Sequence, residues 1–244
     1  MKHLLLSLLC LFALSSCGAS SDETTLTVAV SADNPPYEFI QDGKIVGLDV
    51  EIIEALGAAL GEKVIIKNLD FPGLFPALSS KNIDCVISAI SVTEARKEHF
   101  DFTDVYASSP MSMIVRDADG FKTIDDLNGK TIGVQLGTTW EIEAKKIAES
   151  HPGTIIRSLS NNLVLIEELK SGSVDAVLLE KMQVAEFIKN NNGLSFFDPA
   201  GLSSNFAIVL NKGSDLLPKL NSAIGELQKN GKLETIINRW LKTE

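Results

Sequence analysis

Residues 77–96 read ALSSKNIDCVISAISVTEAR and combine a helix end, a polar turn and a short apolar run. The run at residues 85–89 is typical of a buried strand. Arg96 follows soon after it. Burying an unpaired guanidinium away from water costs several kcal/mol of desolvation free energy. Arg96 must therefore either fold back into solvent or meet an anionic group.

The same pattern returns later in the chain. Residues 168–180, ELKSGSVDAVLLE, align without gaps with residues 77–89, and leucine, serine, aspartate and valine recur at matching positions. Any helix–turn–strand unit would produce part of this match, but the alignment also predicts two similar α/β lobes. It makes Ala89 and Glu180 equivalent positions, each at the carboxyl end of a strand, where open α/β sheets bind ligands.

Strand-like and helix-like patterns alternate along the remaining sequence. Strands are predicted at residues 26–31, 64–69, 85–89, 131–135, 154–157 and 176–179, and helices at 72–81, 139–150 and 162–170. Another helix is predicted to start at Asp49 as its N-cap. This alternation indicates mostly parallel sheets flanked by helices.

The amino-terminal stretch MKHLLLSLLCLFALSSCGAS predicts a secretory signal peptide, since a basic start precedes an apolar segment too short to span a bilayer. The end of that segment, LSSC, resembles the bacterial lipobox, in which the cysteine becomes the lipidated first residue. The alternative is an ordinary signal peptide with a chance cysteine. Residues 1–16 are therefore predicted as the signal, Cys17 as the lipidation site, and residues 17–25 as a flexible tether.

Composition limits what the mature chain can be. If Cys10 leaves with the signal and Cys17 carries lipid, Cys85 has no partner for an internal disulfide. About 220 remaining residues can bury roughly 70% of their unfolded surface, which suffices for a core. The net charge of −10 argues against nucleic acid and favours cationic or zwitterionic partners. No further apolar run is long enough to span a membrane.

The two equivalent strand ends predict a cation and a carboxylate on opposite sides of a cleft. Arg96 follows one end and Glu180 stands at the other, which matches the carboxylate and ammonium of a free α-amino acid. Arginine grips a carboxylate through two parallel hydrogen bonds that lysine cannot reproduce. Further donors are expected from Ser88, Ser91 and the amides around Ala89. The alternative makes Arg96 a helix-surface residue paired with Glu94 or Glu98.

A second turn, GVQLGTTWE at residues 133–141, follows a predicted strand and opens a helix. Gly137 permits a tight turn, and the free amides of the helix start form an anion site. Thr138 or Thr139 either caps the helix or bonds a ligand carboxylate. Too few glycines and no lysine are present for a P-loop. A nucleotide ligand is therefore not expected. No cofactor or metal is predicted for the chain.

Four separated stretches, in the right order, resemble the polar amino acid-binding proteins, which are the solute receptors of bacterial amino acid ABC importers (solute-binding family 3). They read NPPYEFIQDGKIVGLDVEIIEALGAALG, IDCVISAISVTEARKEHFDFTDVY, LNGKTIGVQLGTTWE and KLNSAIGELQKNGKLETIINRWL. The similarity covers roughly residues 26–242.

This resemblance implies an α/β fold of the two-lobe periplasmic-binding-protein type (type II), with mostly parallel sheets and a two-strand hinge. Lobe 1 is expected at 26–106 and 206–244, lobe 2 at 111–198, and the hinge at 107–110 and 199–205. It also implies a monomeric extracytoplasmic receptor that is held to the membrane only by lipid. The receptor would bind a free polar or basic L-amino acid, of the arginine/lysine or glutamine type, and deliver it to an ABC permease.

The resemblance assigns roles to individual residues. Arg96 corresponds to the arginine that grips the ligand carboxylate, and Glu180 stands where the family usually has an ammonium-binding aspartate. The small residue and serine before the arginine, and the family's Gly-Ser/Thr-Thr turn, correspond to Ala89, Ser91, Gly137, Thr138 and Thr139.

The positions that select the ligand side chain depart most from the family pattern. Asn34 replaces the aromatic residue that commonly precedes Pro-Pro, whereas the opposite wall, Phe71, is present and offers a stacking face. Ser31 occupies a position that is sometimes acidic in receptors for basic amino acids. Trp140 is unusual at its place and either lines the pocket or covers the helix.

An enzyme on the same scaffold is the alternative function. Some dehydratases that act on prephenate-like acids resemble these receptors, and Glu180, desolvated on closure, would be the general acid. The cleft motifs contain no histidine, because His3 lies in the signal and His99 and His151 lie at exposed-looking helix ends. A receptor without catalytic residues is therefore the prediction.

Overall fold

The computed structural model describes residues 24–241. The predicted signal peptide, Cys17 and most of the tether lie outside the described residues. The first strand begins at Thr25, one residue before the predicted start of lobe 1. Within residues 24–241, no helix has the length and apolar character needed to cross a membrane.

Lobe 1 is built on a five-stranded sheet, with a small three-stranded sheet beside it. The main sheet contains β1 (Thr25–Val30), β5 (Lys63–Asn68), β6 (Cys85–Val86), β7 (Phe100–Phe102) and β14 (Val209–Asn211), and the small sheet contains β2 (Asp33–Asn34), β3 (Glu38–Gln41) and β4 (Lys44–Val46). The strand order of the main sheet is β5-β1-β6-β14-β7. β5, β1 and β6 are parallel, whereas β14 runs antiparallel to both neighbours.

Helices cover both faces of this sheet. They are α1 (Leu48–Leu60), α2 (Phe71–Ser79), α3 (Glu94–Lys97), α7 (Leu216–Lys229) and α8 (Lys232–Leu241). Alternate residues of a strand point to opposite faces, so Val28 and Val30 join one apolar cluster with α1 and α7, while Ala29 joins another with α2.

Lobe 2 has its own sheet and its own apolar core. Its strands are β8 (Ala107–Arg116), β9 (Thr131–Gln135), β10 (Ile155–Leu159), β11 (Ala176–Glu180), β12 (Leu194–Phe197) and β13 (Ser203–Phe206), and its helices are α4 (Thr139–Ser150), α5 (Asn162–Ser171) and α6 (Lys181–Asn190), with short 3-10 helices at Asp117–Asp119 and Ile124–Leu127. The order is β10-β9-β11-β8-β12, and β13 pairs with β8. β10, β9 and β11 are parallel, while β8 is antiparallel to both of its neighbours in this order, β11 and β12.

The two strand orders confirm the prediction of similar lobes. In each sheet three parallel strands are followed by an antiparallel strand, which makes β6 the counterpart of β11 and β14 the counterpart of β8. Four of the five strands in each order run in one direction, as expected, and the reversed strands are β14 and β8, which carry chain that arrives from the other lobe. The crossing segments pair with each other, Ala107 with Phe206 and Pro110 with Ser203. Bending at the predicted hinge ranges stays a prediction.

Two local expectations are corrected. Asp49 is not an N-cap, because α1 already starts at Leu48, directly after Gly47, and the Asp49 side chain is buried in the first turn. The strand predicted at 85–89 ends at Val86 because the chain turns, and Ala89 adopts a φ of +42°. Such an angle is unusual for a residue with a side chain, so the surrounding residues must stabilise this conformation of the turn.

Candidate functional site

A small cavity lies between the lobes, beyond the carboxyl ends of β1, β6 and β9. Its volume is about 10 Å³. That is room for about one water molecule, so an amino acid requires the walls to separate. Eight of the ten predicted ligand-binding residues line the cavity. They are Asn34, Phe71, Ser88, Ala89, Ser91, Arg96, Thr138 and Thr139. Glu180 and Ser31 do not.

Arg96 reaches from lobe 1 to lobe 2. Its backbone N–H donates to the hydroxyl of Thr93, which caps α3 and fixes where the arginine side chain starts. Its Nη1 donates to the carbonyl of Ser91 at 2.7 Å, and its Nη2 donates to the carbonyl of Gly137, across the cleft, at 3.1 Å. The guanidinium carbon lies 5.0 Å from the centroid of the Phe75 ring, which sequence reasoning did not single out.

Arg96 has no acidic partner among the described residues. Burial lowers the pKa of Arg96 to about 10, with no neighbouring carboxylate opposing that shift. Glu94 pairs with Lys97 at 2.9 Å, so the alternative that makes Arg96 a surface partner of Glu94 or Glu98 is not observed. A desolvated guanidinium held only by carbonyls is a ready site for an anion.

The turn from Ser88 to Ser91 carries the predicted donors of lobe 1. The hydroxyl of Ser88 donates to Glu38 at 2.6 Å, and the backbone N–H of Ala89 donates to Asp49 at 2.6 Å. The hydroxyl of Ser91 lies 3.0 Å from that of Thr139 in lobe 2. The turn is therefore anchored from beneath by two carboxyl groups and touches the opposite lobe at its end.

After the turn at Gly137, Thr138 and Thr139 have different roles. Gly137 has a φ of +82°, and Thr138 caps α4 by accepting a hydrogen bond from the backbone N–H of Glu141 at 3.2 Å. Glu141 in turn accepts from the N–H of Gly137 at 2.8 Å. Capping occupies Thr138, whereas the hydroxyl of Thr139 faces the other lobe.

Trp140 forms a wall of the cavity and covers Glu180. Its indole Nε1 donates to Glu180 Oε1 at 2.9 Å, and both side chains are buried. Trp140 lines the cavity and Glu180 does not, so Trp140 is a pocket residue rather than only a helix cover. Burial raises the pKa of Glu180 to about 7 against the hydrogen bond from Trp140. The acid needed by the dehydratase alternative thus lies behind the wall.

Asp33, Glu38 and Gln135 also line the cavity and were missed from the sequence. Asp33 crosses the cleft, because its Oδ2 accepts hydrogen bonds from Gln135 Nε2 at 2.9 Å and from the backbone N–H of Asn162 at 2.6 Å. Ser31, one of the predicted site residues, donates to Asp33 at 2.9 Å instead of facing the cavity. Gln135 is the last residue of β9, where the strand-end rule already pointed, whereas Asp33 is the first residue of β2, the strand that follows β1.

Electrostatically, the cavity combines one cation with buried acids. Burial raises the pKa of Asp33, while hydrogen bonds from Asn162, Ser31 and Gln135 oppose that shift. Within residues 24–241, no group of three or more histidine, cysteine, aspartate or glutamate side chains has an arrangement that would hold a metal ion. A zwitterion or an amino acid with a cationic side chain would find complementary charge here.

Comparison with known proteins gives consistent results. The family model described as "Bacterial extracellular solute-binding proteins, family 3" matches residues 26–243. The chain is 34% identical to "Arginine-binding extracellular protein ArtP" of Bacillus subtilis (strain 168), over 96% of this chain and 94% of that protein. It is 31% identical to "ABC transporter arginine-binding protein 1" of Escherichia coli (strain K12), over 98% of this chain and 99% of that protein.

The fold is shared with solved structures of the same kind. "An ancestral arginine-binding protein bound to arginine" superposes with a TM-score of 0.86 at 36% identity, covering 90% of this chain and 99% of that one. All three of these proteins are named as arginine-binding proteins, one of them as extracellular and one as part of an ABC transporter.

Proposed function

The chain belongs to the bacterial extracellular solute-binding proteins, family 3, and we propose that it binds a free polar or basic L-amino acid between its lobes and delivers it to the permease of an ABC importer. L-Arginine is the first candidate, since the relatives carry that ligand in their names, and a glutamine-type ligand is the second. We further propose that the protein acts as a monomer outside the cytoplasm and is anchored by lipid on Cys17.

The position of Arg96 carries this proposal. Its guanidinium lies between the lobes, is bonded only to the carbonyls of Ser91 and Gly137, and has no acidic partner among residues 24–241. A ligand carboxylate offers the fork a stronger, charge-assisted pair than two neutral carbonyls do. The hydroxyls of Ser91 and Thr139, which now meet each other at 3.0 Å, would be released to the same ligand when the walls part.

The acidic side of the cavity supports a ligand that also bears a cation. Asp33 and Glu38 line the cavity, and Asp33 already accepts hydrogen bonds from both lobes. Phe71 adds an apolar face for the ligand side chain. Glu180 would contribute through Trp140, which it holds in place, rather than by direct contact with the ligand.

A calorimetric screen tests the proposal. The purified protein should first be mildly denatured and refolded to release any retained ligand, and then titrated with each of the twenty common amino acids. We expect saturable 1:1 binding of a basic or polar amino acid, with arginine tested first. No binding of any amino acid by correctly refolded protein would contradict the receptor function.

A further inference from the structure

Glu38 holds the ligand-binding turn through one oxygen. Its Oε1 accepts hydrogen bonds from the hydroxyl of Ser88 at 2.6 Å and from Asn34 Nδ2 at 3.1 Å. The side chain is fully buried, and its other oxygen, Oε2, has no hydrogen-bond partner among the described residues.

Asp49 holds the next residue of the same turn in the same way. Its Oδ2 accepts from the backbone N–H of Ala89 at 2.6 Å and from the hydroxyl of Tyr106 at 2.9 Å. Asp49 is also fully buried. In the described part of the chain, no N–H or hydroxyl group donates a hydrogen bond to its Oδ1. The two carboxyls therefore grip consecutive residues, and each keeps one free oxygen.

A single proton shared by Glu38 and Asp49 would give both unpaired carboxyl oxygens a hydrogen-bond partner. Two ionised carboxylates buried side by side repel each other, and each would leave an unsatisfied anion away from water. If Glu38 is protonated, its hydroxyl donates to the carboxylate of Asp49, a contact that lowers the pKa of Asp49. All four carboxyl oxygens then have a role, and the pair carries a single charge.

We propose that Glu38 and Asp49 share one proton and act as a clamp that holds Ser88 and Ala89 in the conformation that meets the ligand. Ala89 needs such support, because its φ of +42° is unfavourable for a residue with a side chain. Glu38 and Asp49 are thus positioning residues for the binding site, and only the ligand-affinity part of this inference rests on the proposed function.

The electrostatic surroundings favour the protonated pair. Burial, followed by the charge of Asp49 and that of Asp33, raises the pKa of Glu38, while hydrogen bonds from Ser88 and Asn34 oppose that shift. Burial also raises the pKa of Asp49, to about 6. The other titratable groups near the pair are Tyr37 and Tyr106, which are buried hydroxyls, and Arg96, which lines the same cavity as Glu38.

The sign of the pH effect follows from these shifts. The folded protein binds the shared proton more tightly than the unfolded chain, in which a glutamate has a pKa near 4.5. Stability contributed by that proton is complete below pH 4.5 and is lost as the pH rises through the raised pKa of the folded state. Loss of the proton would also loosen the turn and weaken ligand binding.

The test compares Glu38→Gln and Asp49→Asn with the parent protein. Each variant keeps the hydrogen-bonding shape, because an amide N–H replaces the shared proton, and each carries one charge at most on the pair. We expect the Tm of the parent to fall relative to both variants as the pH rises above 4.5. Glu54→Gln is the control, because it removes an exposed carboxylate from α1, the helix that carries Asp49. Its Tm should change with pH as that of the parent does. Parallel pH curves for parent and Glu38→Gln would overturn the clamp.

Infrared spectroscopy gives a second measurement, independent of Tm. Glu180, whose pKa is raised to about 7, contributes a protonated-acid band to both proteins near neutral pH, so the readout is the difference between the spectra of the parent and Glu38→Gln. The parent should show an additional carbonyl-stretch band of a protonated carboxylic acid at neutral pH, and absence of that additional band would overturn the shared proton. Titration with L-arginine across the same pH range should show affinity falling at alkaline pH in the parent more steeply than in Glu38→Gln. If L-arginine binds at no pH, the proposed ligand fails while the Tm and infrared results still decide the clamp.

Discussion

Trp140 and Glu180 show how one side chain changes what another can do. The resemblance assigns the ligand ammonium to Glu180, yet its Oε1 accepts the indole N–H of Trp140 at 2.9 Å, and Trp140 forms the wall. A carboxylate one layer behind the wall orients the indole and contacts the ligand only if the indole moves away.

Glu180→Gln is therefore expected to have a small effect. The amide oxygen of Gln still accepts the Trp140 N–H, so amino acid affinity should fall by about 1 kcal/mol or less, which is the net value of a typical hydrogen bond. Calorimetry should give the same small loss for amino acids and for their des-amino analogues. A loss confined to amino acids would instead indicate that Glu180 meets the ligand ammonium. Trp140→Phe is the matched variant for the same hydrogen bond, because it keeps an aromatic wall but removes the N–H that donates to Glu180.

At this scale the sequence predicted the half of the site that would bind a ligand carboxylate better than the half that carries the acidic side chains. Arg96, Ser91 and Thr139 follow strand ends and turn motifs whose geometry is local, so their place between the lobes could be inferred. Asp33 and Glu38 belong to a short hairpin after β1, and which of its side chains face the cavity depends on how β2 and β3 pack. That packing is tertiary and has no local signature.

The secondary-structure elements are placed by glycine as much as by apolar periodicity. Gly47 precedes α1 with a φ of +133°, and a Cβ there would come within 2.2 Å of the carbonyl oxygen of Tyr37. The helix starts at Leu48, two residues earlier than an N-cap at Asp49 would allow, and this start turns Asp49 inward toward Ala89.

Gly47→Ala should destabilise the fold strongly. Both the positive φ and the close approach of the Tyr37 backbone disfavour a side chain, so we expect a loss of about 3 kcal/mol or more in the free energy of unfolding. Gly61→Ala is the control, because Gly61 also has a positive φ of +69° but no heavy atom within 4 Å of its Cβ position. Its cost should be about 1–2 kcal/mol. Equal losses in urea unfolding would show that the contact with Tyr37 does not matter.

Most elements could be predicted from periodicity, and the exceptions share a cause. β9, α4 and α5 have the predicted starting residues, because each combines a clear apolar pattern with a turn or a cap. β7 and β8 were not predicted as sheet members, since β7 pairs antiparallel with β14, which returns from the other lobe, and β8 carries chain that arrives from lobe 1.

The whole molecule is two lobes whose cores are separate and whose connection is narrow. Among residues 24–241 the two cores share no buried residue, and the crossings are made by β8 and β13. Cross-cleft hydrogen bonds, such as that of Asp33 with Gln135, close the interface. Such an arrangement permits a hinge motion, with bending confined to a few residues.

Ligand binding is expected to make the molecule more compact in solution. With the walls apart the lobes should sample open arrangements, and the ligand should bridge Arg96 and the acidic wall. Small-angle scattering with and without saturating ligand should therefore show a smaller radius of gyration in the complex. Identical profiles, for a ligand shown by calorimetry to be bound, would argue against closure.

The anchor is a separate prediction at this scale. Cys17→Ser should move the protein from the membrane fraction to the soluble fraction of the cells, because stable attachment by acyl chains requires more than one chain and all of them depend on that cysteine. Unchanged membrane partition would contradict the lipoprotein prediction.

The most direct test of the receptor account is calorimetry of Arg96→Met and the parent with one amino acid and its α-carboxamide. The ligand is the amino acid selected by the screen, and the carboxamide lacks only the negative charge that Arg96 is proposed to hold. We predict that the parent prefers the free acid, that Arg96→Met loses on the order of 2–5 kcal/mol for it, and that the variant no longer distinguishes the two. A correctly folded Arg96→Met that keeps the affinity and the preference of the parent would contradict the account.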